Sequence, residues 1–64
     1  MPYVNIRVAG KLSREQKAEI CAGVTEVISR VSGKPQENVL IFIDEEERDN
    51  ISKGGVLLSE LVKS

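Results

Sequence analysis

The chain has 64 residues, nine Lys and Arg against ten Asp and Glu, a net charge of −1, no histidine and one cysteine. That length holds one small domain, residues 1–64, which buries only about 60% of its unfolded surface on folding. The conformational entropy it must offset is on the order of 100 kcal/mol. With Cys21 the lone cysteine, no internal disulfide can form. Without histidine there is no His-ligated metal, no His general base and no Ser-His-Asp or Cys-His catalysis. Association with further copies of the chain is the stabilising device that remains. The two aromatic residues, Tyr3 and Phe42, and the lack of a basic block offer no platform for nucleic acid. Apolar runs are strand-length, short of the roughly 20 residues a membrane span needs, and no signal peptide opens the chain. The expectation is a cytoplasmic protein with neither nucleic-acid nor membrane partners.

Residues 2–8 alternate, with Val4, Ile6 and Val8 on one face and Tyr3, Asn5 and Arg7 on the other, which predicts a half-buried strand. Gly10-Lys11-Leu12 leads into a helix start, where Ser13 and Gln16 have the spacing of a capping box and Glu15 suits the helix dipole. The helix is predicted from about Ser13 to Ser32. Its apolar stripe is Ile20, Cys21, Val24, Val27, Ile28 and Val31, and Lys17, Glu19, Glu26 and Arg30 lie on the polar side. Glu26 and Arg30 are spaced for an i,i+4 pair. Gly33 and Pro35 end the helix.

Val39 to Asp44 is the second expected strand, apolar on both faces: Val39, Ile41 and Ile43 on one, Leu40 and Phe42 on the other. One helix covers only one of them. Glu45 to Asp49 reads as a solvated charged turn. Gly54-Gly55 permits a tight turn before a short apolar tail of Val56, Leu57, Leu58, Leu61 and Val62. The fold class is therefore α/β (α+β). It is a single βαβ unit with parallel strands and a right-handed crossover, followed by a short C-terminal hairpin or tail, assembling into an oligomer.

Phosphate-binding glycine motifs, metal-ligand spacings and nucleophile elbows are all missing. Cys21 lies in the apolar stripe and reads as a packed thiol. What remains is Pro2. Trimming of Met1 ahead of a small residue frees a secondary amine at the head of a strand. An α-amino group titrates at about 7.7–8.0, and desolvation lowers that further, which gives a general base near pH 7 without histidine. A retained Met1 would instead make that nitrogen an amide. Alone, the Met-Pro start is a common beginning with no weight.

The order of several pieces gives it weight. Met1-Pro2 with its alternating strand, Glu15-Gln16-Lys17 in the first helical turns, and the run from Val24 to Arg30 come first. The apolar strand ending in Asp44-Glu45 and Gly54-Gly55 follow. Together they resemble the 4-oxalocrotonate tautomerase family over nearly the whole chain. The resemblance implies small βαβ subunits that assemble as homo-oligomers, commonly hexamers, with Pro2 as general base and acid and with neither cofactor nor metal. It implies proton transfer in a small enol, dienol or keto-acid substrate. Relatives acting on dicarboxylates carry an arginine before the helix, another early in the second strand, and an aromatic in the late hairpin. Those positions fall here on Leu12 (with Lys11 beside it), Leu40 and Ile51. Lys11 is the candidate substitute cation, without arginine's bidentate fork, and Leu40 and Ile51 are the candidate apolar walls. Arg7 and Arg48 are further cations with weaker claims. Loss of both arginines keeps a rival in view, a tautomerase-fold oligomer serving as a binding or structural module. A further alternative is hydration or dehalogenation of an unsaturated acid.

Overall fold

The computed structural model describes residues 1–61. Strand β1 (Tyr3–Ala9) is followed by helix α1 (Arg14–Ser32), a 3₁₀ turn at Gln36–Asn38 and strand β2 (Leu40–Glu46). A second 3₁₀ turn (Arg48–Asn50) leads to the short strands β3 (Ser52–Lys53) and β4 (Val56–Leu57), and a last helical turn, α2, covers Leu58–Leu61. Strands β1 and β2 are parallel, with Tyr3 opposite Leu40 and Ala9 opposite Glu46. Backbone hydrogen bonds extend the pairing at both ends, from Leu40 N–H to the Pro2 carbonyl (2.9 Å) and from Gly10 N–H to the Glu46 carbonyl (2.7 Å). The βαβ unit and the hairpin are as the sequence predicts.

Local chemistry explains the helix limits. Ser13 is the N-cap, its hydroxyl accepting from Gln16 N–H at 3.1 Å while the Gln16 side chain accepts from Ser13 N–H at 2.8 Å. Gly33 closes the helix in the left-handed conformation (φ 78°), its N–H donating to the Ser29 carbonyl at 2.9 Å. Glu26 and Arg30 pair at 3.1 Å. The β3–β4 hairpin turns on Gly54 (φ 62°) and Gly55 (φ 84°). Two successive positive φ values are what a two-residue type I′ turn requires.

Strand β2 starts one residue later and ends two residues later than the sequence suggests. Val39 ends the preceding 3₁₀ turn, and Glu45 and Glu46 belong to the strand rather than to a solvated turn. Pairing with Val8 and Ala9 carries the ladder through both glutamates. The helical stripe also divides. Ile20, Cys21, Val24 and Ile28 are half-buried, whereas Val27 and Val31 are 46% and 74% exposed. Two strands about 4.8 Å apart are too narrow to cover the whole stripe. Gly23 in mid-helix has nothing within 4 Å of where a Cβ would stand. Glycine there costs about 1 kcal/mol relative to alanine, and nothing among the described residues requires it.

Among the described residues no helix lies on the other side of the sheet. Tyr3 and Phe42 meet edge to face there (centroids 6.5 Å apart, 78° between planes) and, with Leu40, stay largely exposed. Beside them Arg7 and Asp44 approach to 3.7 Å. Among the described residues the hairpin pairs only with itself, and it is tied back through Leu58 N–H to the Ile51 carbonyl at 2.8 Å. Leu58 is half-buried while Val56, Leu57 and Leu61 are exposed; Val62 of the expected apolar tail lies outside the described residues. The radius of gyration is 15.0 Å, with extents of 42 × 24 × 14 Å, against about 11 Å for a compact chain of this length. None of the described residues is fully buried, so the single subunit has no closed core. No helix among them is long and apolar enough to cross a membrane.

A chain without a core cannot offset its folding entropy alone. Sedimentation at micromolar concentration should therefore show a species of several subunits; a folded 7.0 kDa monomer would contradict this account of its stability.

Candidate active site

Pro2 stands one residue ahead of β1, half-buried, where its missing N–H interrupts no ladder bond. Its carbonyl is held by Leu40 N–H at 2.9 Å, which fixes the residue bearing the candidate nitrogen at the start of the sheet. Leu40 follows in register beside Tyr3, its side chain 42% exposed on the bare face. Of the four candidate site residues, Pro2 and Leu40 are thus neighbours.

Lys11 and Ile51 lie at the opposite end. Lys11 follows the C-terminal end of β1 and is exposed. Ile51 is half-buried and lines a shallow cavity of about 590 Å³ with Arg7, Ala9, Glu46 and Leu58. Seven residues of β1 at about 3.3 Å each separate the two ends by roughly 23 Å. Within one chain, neither Lys11 nor Ile51 reaches Pro2. A pocket combining all four has to draw on more than one subunit.

Two features at this end are absent from the sequence reading. Glu45, expected in a solvated turn, points toward the helix side. It accepts from Leu12 N–H at 2.8 Å and from Lys17 Nζ at 3.0 Å, so its carboxylate ties the helix entry to β2. Lys17 is accordingly half-buried toward the sheet, not on the solvent side. The signal was present: Glu45 shares the parity of Ile41 and Ile43. The Leu12 N–H bond, then the Lys17 bond, hold its carboxyl below the ordinary glutamate value, with smaller help from the charges of Lys17 and Lys11. The second feature is Arg48, whose guanidinium rests against Gly10. A Cβ on residue 10, where φ is +98°, would lie 2.8 Å from Arg48 Nη1.

Cys21 is half-buried on α1. Among the described residues no three His, Cys, Asp or Glu side chains gather to hold a metal ion.

A parallel βαβ unit with a strand-leading proline and a glycine-turned hairpin defines a small tautomerase-fold subunit. A family model described as tautomerase enzyme matches residues 2–61, and the chain belongs to the tautomerase family. It is 35% identical over 60 residues to a probable tautomerase of Bacillus cereus, covering 94% of this chain and 98% of that one. It is 31% identical over 61 residues to a 2-hydroxymuconate tautomerase of Bacillus subtilis, covering 95% and 98%. Among solved structures, a heterohexameric 4-oxalocrotonate tautomerase from Chloroflexus aurantiacus superposes with a TM-score of 0.87 at 26% identity, covering 97% of this chain and 100% of the other.

Because the folded-state pKa of Glu45 is lowered, its contribution to stability is present above the unfolded value of about 4.3 and is lost as pH falls through the folded value. Glu45→Gln should be less stable than the parent at pH 7. In a thermal melt series from pH 6 to 3, its midpoint should fall less steeply with acid; parallel curves would show that the Glu45 contacts contribute nothing.

Proposed function

We propose that this protein is a tautomerase that moves a proton within a small enol or dienol keto acid, with the amine of Pro2 as general base and then acid once Met1 is removed. The lone pair of Pro2 takes the enol O–H proton, the oxygen's electrons close the carbonyl, and the protonated amine returns the proton to a carbon of the conjugated system. No atom is gained or lost, and no cofactor or metal is required. The observation that carries this reading is the anchoring of Pro2 to Leu40 N–H at the head of β1, in a histidine-free chain of the tautomerase family. A base without histidine needs an amine brought near neutrality, and apolar surroundings lower the pKa of an amine.

In this reading the working form is a homo-oligomer, a hexamer by analogy with the superposed heterohexamer. Lys11 and Ile51 of one subunit complete the pocket at Pro2 of another. Lys11 is a point charge for a substrate carboxylate, while Leu40 and Ile51 are apolar walls. With no arginine at these positions, substrates with fewer carboxylates than a dicarboxylate dienol fit best.

The test is a matched pair of preparations, one with Met1 retained and one trimmed, assayed on phenylenolpyruvate and 2-hydroxymuconate. General-base catalysis contributes roughly 10²–10⁴-fold, so blocking the nitrogen should lower kcat/KM for at least one enol by about a hundredfold or more. Equal rates would remove Pro2 from the mechanism. Inactivity of both forms across a panel of enols would favour the binding or structural module.

Lys11→Ala should raise KM for anionic substrates roughly three- to tenfold, as expected of an exposed charge contact of about 1 kcal/mol, and leave neutral enols unchanged. An equal effect on both classes would return Lys11 to the solvated surface.

A further inference from the structure

We infer that the cavity between the end of the sheet and the hairpin selects an acid with one carboxylate, held by Arg7, and a hydroxyl at its far end, held by Glu46, and rejects a diacid. This deepens the tautomerase reading above, and rests on it for the claim that the acid selected is the substrate. Arg7 and Ala9 of β1 share a face of the sheet with Glu46 of β2, since Arg7 stands opposite Asp44 and Ala9 opposite Glu46. It is the face turned away from α1. Ile51 and Leu58, both half-buried, add apolar surface to the same cavity, whose volume of about 590 Å³ suits a small organic acid. Ala9 carries the smallest side chain of β1 and leaves room between the two charges.

Neither charge is consumed inside the subunit. Among the described residues the half-buried Glu46 makes no side-chain hydrogen bond and no ion pair. Arg7 has a single approach to Asp44 at 3.7 Å, longer than a hydrogen bond, so its guanidinium donors remain available. A guanidinium fork holds a carboxylate in bidentate fashion. A glutamate carboxylate accepts from a hydroxyl and repels a second anion. On neighbouring strands and two residues apart in register, the Arg7 and Glu46 backbones are about 8 Å apart. A small acid with its carboxylate at one end and a hydroxyl at the other spans that separation. An acid without the hydroxyl leaves Glu46 unpaired beneath it, and a diacid sets like charges together. Lys11, outside this lining, adds a longer-range attraction for any anion and does not tell these acids apart.

The experiment titrates the assembled protein, by calorimetry, with three non-reacting acids that differ only at the para position: 4-hydroxyphenylacetate, phenylacetate and 4-carboxyphenylacetate. The hydroxy acid should bind roughly threefold or more tightly than phenylacetate, and the diacid about tenfold more weakly than the hydroxy acid. Glu46→Gln keeps the shape and removes the charge, and should bring the diacid to within about threefold of the hydroxy acid. Arg7→Gln should weaken all three acids about tenfold. Should that variant fail to fold, Arg7→Lys, which keeps the charge and loses the fork, should weaken all three roughly threefold. Equal binding of the three acids, binding of none, or a Glu46→Gln variant that still rejects the diacid would overturn the inference. In the trimmed enzyme the hydroxy acid should compete with phenylenolpyruvate, and non-competitive inhibition would separate the cavity from the reacting site and overturn it too. Inactivity of the trimmed enzyme with the discrimination intact supports the selectivity and overturns the Pro2 reading alone.

Discussion

Everything in this molecule depends on the parallel pairing of β1 with β2. Parallel neighbours cannot be joined by a tight turn, so the chain must cross over, and the 19-residue helix α1 is that crossover. A single crossover helix lies on one face only. The other face, with Tyr3, Leu40 and Phe42, is left open, and two strands are too narrow to shelter even the whole apolar stripe of the helix. The same pairing sets the site. It locks the Pro2 carbonyl to Leu40 N–H at one end of the sheet and sends Lys11 and Ile51 to the other.

Where the determinants are local, the sequence suffices to locate them. The Ser13–Gln16 box, the left-handed Gly33 and the Gly54-Gly55 turn depend on neighbours within a few residues, and each is found as expected. Strand alternation identifies the helix-facing set of Val4, Ile6, Val8, Ile41 and Ile43, all half-buried. Long-range pairing decides the rest. Glu45 and Glu46 have the composition of a turn, yet the ladder opposite Val8 and Ala9 keeps them in β2. Lys17 looks solvent-facing on a helical wheel and is drawn inward by Glu45. The division of the α1 stripe follows from sheet width, which no periodicity encodes.

The candidate site shows the same boundary. Pro2 is proposed from its chemistry and Leu40 from the resemblance, and the strand pairing makes the two neighbours. That Lys11 and Ile51 stand roughly 23 Å away along β1 follows only from the direction of the strands. In a monomer this separation would rule both residues out. In an assembly it has the opposite meaning, because a site divided between chains exists only where the chains have met.

The contact between Arg48 and Gly10 has a consequence for how related sequences diverge. The guanidinium occupies the volume that any side chain at residue 10 would need, and the backbone there is left-handed. The guanidinium is the far end of a flexible side chain and can swing aside at little cost, so the left-handed backbone (φ +98°) is what holds residue 10 to glycine. Residue 48 is free to change among relatives while a side chain at residue 10 has to relax the loop itself.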